Sequence, residues 1–126
     1  MSTVNWPAFF PPGCPPPEAK DAQAEVFRLV SANPPTASDF ECWAQRNPKK
    51  YMGDCKASGL SVFTAKADAL RLVRRVPGMS GKLIALASLR PGAGKLMHTP
   101  SSGASSHHTW WTPAGFDHAA AFKVVA

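Results

Sequence analysis

The run Lys82-Leu83-Ile84-Ala85-Leu86-Ala87-Ser88-Leu89, then Arg90-Pro91-Gly92-Ala93-Gly94, then Lys95-Leu96-Met97-His98-Thr99, decides the fold class. It reads as strand, turn, strand, with the turn read as a hairpin because glycine supplies the positive φ such turns need. Further strands are expected over 107–112 and 121–125, so four strands follow one another in the second half. Upstream, Val26-Phe27-Arg28-Leu29-Val30 is β-branched and aromatic and predicts a first strand, ended by Asn33-Pro34-Pro35. Thr36 stands three residues before Asp39, as in a capping box, and Phe40, Trp43 and Ala44 recur at helical spacing up to Asn47-Pro48, predicting a short helix. Residues 49–58 read as loop, and Gly59-Leu60-Ser61-Val62-Phe63 as a second strand. Thr64 then caps a helix with Ala65, Ala69, Leu72, Val73 and Val76 on one face, stopped by Pro77-Gly78. Helices early and strands late predict an α+β domain with a mainly antiparallel or mixed sheet of about six strands and two short helices.

The 126 residues suit one core, and thirteen prolines with nine glycines argue against a helical bundle. Six of those prolines fall within residues 1–19, which predicts an extended proline-rich arm ahead of a single domain over 20–126. Trp6, Phe9 and Phe10 suggest that the arm docks on the domain; Pro12 and Pro15 also match a weak PxxP ligand pattern. No apolar run approaches the roughly 20 residues of a membrane helix, so no membrane partner is expected. Met1-Ser2-Thr3-Val4-Asn5-Trp6-Pro7 lacks the pattern of a signal peptide. Cys14, Cys42 and Cys55 are odd in number and form no CxxC pair, which predicts unpaired cysteines and a cytoplasmic location.

The net charge of +6 is uneven. Eleven Lys or Arg lie between Arg46 and Lys95 against Asp54 and Asp68, a local net of +9, while the rest sums to −3. Such a field favours an anionic partner or is a solvated face. Lys66, Arg71, Arg74 and Arg75 lie on the exposed side of the expected second helix, where cations in a last turn also suit the helix dipole.

Arg90-Pro91-Gly92-Ala93-Gly94-Lys95 is not a phosphate loop, since Leu89 and Leu96 stand where Gly and Ser or Thr are required. The adjacent His107 and His108 point to opposite faces of a strand and cannot share one metal ion; no metal and no cofactor is implied. On the same strand His107, Thr109 and Trp111 share a face. Histidine transfers protons near neutral pH, threonine bonds a phosphate or sugar, and tryptophan stacks on a base; the competing reading makes the tryptophan pair core and cover. Arg28 inside an apolar strand must be exposed, paired or set to meet an anion, and Ser61 is similarly placed.

The landmarks Phe27-Arg28-Leu29-Val30, Pro35-Thr36 through Asp39-Phe40, Gly59-Leu60-Ser61-Val62-Phe63 and His107-x-Thr109-x-Trp111 resemble a set of small uncharacterised bacterial proteins, over about residues 24–126. The arginine on a first strand, the serine on a later one and the aromatic closing sheet are also faintly similar to the ADP-ribosyltransferase layout. That resemblance implies that Arg28 grips a pyrophosphate, Ser61 orders the site and Trp111 lies near a nicotinamide. The catalytic glutamate of that family is missing, since no Glu follows Glu41.

The sequence thus predicts a small intracellular domain that binds a phosphate-bearing or nucleotide-like ligand in a cleft. Arg28, Ser61, Thr109 and Trp111 bind it and His107 is the catalytic candidate for transferase or hydrolase chemistry. The alternative is a non-catalytic basic module in which Arg71, Arg74 and Arg75 hold nucleic acid or an acidic protein. A shared pocket for Arg28 and His107 favours the first; opposite faces, with Arg71, Arg74 and Arg75 in a continuous patch with Lys49 and Lys50, favour the second.

Overall fold

The computed structural model describes residues 4–126; the first three residues of the arm lie outside them. Seven strands form one sheet: β1 Lys20–Asp21, β2 Glu25–Val30, β3 Leu60–Phe63, β4 Leu83–Ser88, β5 Lys95–His98, β6 His107–Trp111 and β7 Lys123–Val124. Their order is β1-β5-β6-β3-β2-β4-β7, and every neighbour pair is antiparallel. The α+β expectation holds, with seven strands instead of about six. The additional strand, β1, is two residues long and pairs Lys20 with Leu96 and Asp21 with Lys95, too short for any periodic signal.

Four α-helical segments are present, not two: α1 Trp43–Arg46, α2 Pro48–Tyr51, α3 Lys66–Arg75 and α4 His118–Ala121. The single helix expected after Thr36 is divided into a 3-10 turn, Ala37–Phe40, and α1, because Glu41 and Cys42 are extended between them. α2 starts where Pro48 occupies the first turn and Asn47 Oδ1 accepts from the Lys50 amide, inside the stretch expected to be loop. The residue capping α3 is Ala65, not Thr64; its amide is bonded by the distant Ser106 hydroxyl instead of by a local side chain.

The turn 90–94 is likewise not a hairpin. Gly92 and Gly94 do take positive φ, but β4 and β5 lie in opposite halves of the sheet, so the turn carries the chain across it. A Cβ on Gly94 would strike the Trp111 carbonyl, which ties this crossing to glycine.

One face of the sheet buries Val26, Val30, Leu60, Val62, Ala85 and Trp110 against Phe40, Cys42 and Phe122. The other divides into two clusters. Phe63 and Ile84 pack under Ala69, Leu70 and Leu72 of α3, while Trp111 is covered by Trp6, Phe10, Cys14 and Ala19 of the arm. The arm therefore docks, as its aromatics suggested. It is also tied down covalently: Cys14 and Cys55, 41 residues apart, form a disulfide, and only Cys42 is a free, buried thiol. The odd count conceals one pair plus one core cysteine, so the cysteines no longer argue for a cytoplasmic location. No helix among the described residues is long and apolar enough to cross a membrane.

Trp110 and Trp111 are 0% and 1% exposed, and each indole N–H is bonded, to Ala93 O at 2.7 Å and to Cys55 O at 2.8 Å. Truncating Trp111 to alanine is expected to cost about 3–5 kcal/mol, through lost burial and the cavity left under the arm. Replacing Cys14 by serine should cost about 2–4 kcal/mol by freeing the unfolded chain. Urea unfolding monitored by circular dichroism reads both; a Trp111→Ala protein as stable as wild type would mean that the arm does not seat on that face.

Candidate functional site

β2 and β3 are paired at one position only, Phe27 with Phe63, whereas β3 runs alongside β6 for its whole length. Beyond Phe27 the two strands part. Arg28 fills the opening: its Nη1 donates to Ser61 O at 2.8 Å, its Nε to Asp39 O at 3.0 Å, and its guanidinium lies 5.7 Å from the centre of the Phe40 ring. Nη2 makes no hydrogen bond with any described group, and Arg28 lines a cleft of about 380 Å³ that begins here. Burial, reinforced by the positive charge of Arg46, brings the Arg28 pKa down to about 10, so the side chain stays cationic at neutral pH.

Ser61 and His107 lie diagonally across the β3–β6 ladder on one face of the sheet. The Ser61 hydroxyl is 3.0 Å from His107 Nε2, and His107 Nδ1 is 2.8 Å from Thr99 O. A carbonyl only accepts, so Nδ1 carries the hydrogen of the neutral ring and Nε2 is left as the acceptor of the Ser61 O–H. Burial pushes the imidazole below its ordinary pKa, aided by Lys56, His108 and His98 and opposed by the bond to Thr99. The neutral, proton-accepting form is thereby favoured. This arrangement can take a proton from Ser61 or from a hydroxyl or water that replaces it.

The cleft walls come from parts distant in sequence. α3 contributes Arg71, Leu72 and Arg75; α1 contributes Trp43 and Arg46; Lys82 and the loop 101–104 complete the rim. Five cationic side chains, Arg28, Arg46, Arg71, Arg75 and Lys82, face it against two carboxylates, Asp39 and Glu41. Asp39 is occupied by the protein itself, since its oxygens accept from the Ser31 amide at 2.7 Å and the Thr36 amide at 3.0 Å. Burial alone would raise its pKa, but the amides of Thr36, Ser31 and Ala32, with the charge of Lys82, hold it below the usual carboxylate range. Among the described residues, Arg71 alone of the cleft cations is within ion-pair distance of a carboxylate, 3.2 Å from Asp68. Asp68 also accepts from the Ser106 amide at 3.0 Å, and Arg71 donates to Gly103 O at 3.2 Å, so the pair fastens the rim loop to α3.

Of the residues expected from sequence, Arg28, Ser61 and His107 all line this cleft, Arg28 from the sheet face of Val26 and Val30 and the Ser61–His107 pair from the opposite face, and Arg71 and Arg75, assigned to a separate basic face, line it too. Arg74 does not line the cleft. Thr109 and Trp111 must be corrected. Thr109 is 3% exposed and its hydroxyl is spent on Thr99 Oγ1 at 2.9 Å, while Trp111 lies beneath the arm. The shared strand face is real, but the arm covers its far half, and no nicotinamide can lie on Trp111 as the resemblance implied. Sequence reading missed Arg46, Lys82 and Trp43, which belong to the site only because folding gathers them, and Thr99, whose carbonyl sets the His107 tautomer. No family model, no curated protein and no solved structure matches the chain.

A second imidazole lies on the other side of Phe40. His118 stacks on Phe40 and meets Trp110 edge-on, with ring centres 5.1 and 5.6 Å away, and its Nε2 is the one buried side-chain nitrogen or oxygen without a hydrogen-bond partner among the described residues. Burial and the charge of Arg28 depress its pKa to about 4. The unfolded chain takes up this proton near pH 6.5 and the folded chain only near 4, so the unfolded state holds more protons between those values. Stability should therefore fall as pH drops through that window. One proton sets a limit of about 1.4 kcal/mol per pH unit, reduced by partial solvent screening. His118→Phe, which keeps the aromatic stack, should flatten the dependence, and the lowered pKa of His107 should leave a residue of the same sign. Thermal melts of both proteins from pH 4 to pH 7 would read this, and identical profiles would refute it.

Proposed function

We propose that the cleft binds a phosphate-bearing, nucleotide-like ligand and that His107 acts there as a general base for group transfer or hydrolysis. The observation that carries this reading is the convergence of Arg28, Ser61 and His107 in one cleft whose cations outnumber its carboxylates. A cleft of this size accommodates a small organic anion, and guanidinium groups in a half-enclosed site attract phosphate oxygens more strongly than they would in open water. In the reaction, an attacking hydroxyl or water loses its proton to His107 Nε2 as its oxygen forms the new bond. The bond to the phosphate-bearing leaving group breaks, and the departing electron pair is stabilised by the arginines.

Thr99 and Ser61 hold the imidazole in position from either side; they are positioning residues until a ligand is shown to touch Ser61. The alternative of a non-catalytic basic module draws on the same cations, because Arg71 and Arg75 line this cleft. The cleft reading explains in addition why the Ser61–His107 pair stands beside them.

Arg28 is a poor test residue, since removing it also takes the donor from the carbonyl of buried Asp39 and the packing from Phe40, and so destabilises the free protein. Arg75 has no carboxylate within ion-pair distance, which makes charge reversal there the cleaner experiment. Inorganic pyrophosphate and ADP at low salt should raise the melting temperature of the wild-type protein; a hundredfold excess over Kd corresponds to about 2.7 kcal/mol of stabilisation. The rise should shrink with added salt and disappear in Arg75→Glu, whose own melting temperature stays near wild type. The proposal fails if neither probe shifts the melting curve at low salt, or if Arg75→Glu responds as the wild type does.

A further inference from the structure

We infer that the ligand is recognised through a base as well as through phosphate, and that Trp43 is the surface on which the base stacks; this rests on the cleft reading proposed above. Of the tryptophans, Trp110 and Trp111 are buried, whereas Trp43 is 57% exposed. It nevertheless lines the cationic cleft, together with Arg46 of its own short helix and Arg28 of β2. A large apolar ring left in water forgoes burial worth several times the thermal energy.

The local backbone accounts for the exposure. Extended Glu41 and Cys42 separate the 3-10 turn ending at Phe40 from α1, so Phe40 turns into the core and Trp43 is released from the face they would have shared on one continuous helix. Tyr51 of α2 lies 6.1 Å from Trp43, tilted at 44°, which braces the indole from the following helix. An aromatic platform flanked by guanidinium groups has the chemistry of a nucleotide site: the ring takes the π-face of any base and the cations take the phosphates. An inorganic phosphate would use only the second half of that surface.

Isothermal titration with ADP and with inorganic pyrophosphate separates the two contributions. In the wild type ADP should bind about tenfold more tightly than pyrophosphate and quench the indole fluorescence. Trp43→Ala should abolish that preference while leaving the affinity for pyrophosphate unchanged, and Trp43→Tyr should retain much of it. If pyrophosphate binds but ADP binds no better, or if Trp43→Ala keeps the preference, the base platform is wrong and the phosphate cleft stands. If neither compound binds the wild type, the cleft reading falls and the platform with it.

Discussion

The Arg28 side chain is the constraint on which the site depends. In a continuous sheet the Ser61 carbonyl would be bonded by the next strand; here β2 and β3 separate after one pair, and a guanidinium supplies the donor instead. Ser61 is exposed, so its carbonyl remains open to water as well; the buried end of the fork is at Asp39, where an unsatisfied carbonyl costs about 1–3 kcal/mol. The same fork anchors the turn at Asp39 and rests on Phe40, which joins the opening between the strands to the main core. A charge in an apolar strand, unfavourable by itself, becomes the support of a cleft.

The distribution of acids explains why that cleft is positive. Asp39 and Asp68 are both buried, and both are turned onto backbone amides, of Ser31 and Thr36 in one case and of Ser106 in the other. They shape the two loops that border the site. Their charge is directed into the protein, and among the described residues no carboxylate lies within ion-pair distance of four of the five cleft cations. Of the eleven basic residues between Arg46 and Lys95, four, Arg46, Arg71, Arg75 and Lys82, join Arg28 in a field inside one concavity.

The β6 strand shows how one local pattern serves three purposes. Its alternation sends Trp110 into the main core and Trp111 to the opposite face, where the arm and the Cys14–Cys55 link seal it. His107, at the strand's open end, is held by Thr99 and Ser61 and remains half-buried beside the cleft. Burial favours the neutral form of His107 and of His118 alike, but only at His107 are both ring nitrogens partnered, Nδ1 by the Thr99 carbonyl and Nε2 by the Ser61 hydroxyl at the cleft.

The sequence by itself determined the elements whose periodicity is strong: the strands around Val26–Val30, Leu60–Phe63 and Leu83–Ser88 and the amphipathic α3 ended by Pro77, while it left the sheet antiparallel or mixed. It also singled out Arg28, Ser61 and His107 by chemistry that is incongruous in apolar strands. What it could not contain is strand order, because hydrogen bonding between β3 and β6 or between β2 and β4 leaves no mark on either partner's own pattern. That order is what brings Arg28 to Ser61 and carries the turn at Gly92 and Gly94 across the sheet. The same holds for exposure. Phe40 and Trp43 are equivalent on a helical wheel, and only the extended pair Glu41 and Cys42, set by tertiary packing, sends one ring into the core and leaves the other at the rim of the cleft. Periodicity records which residues prefer to be buried; which of them find a partner is decided by elements far away in the chain.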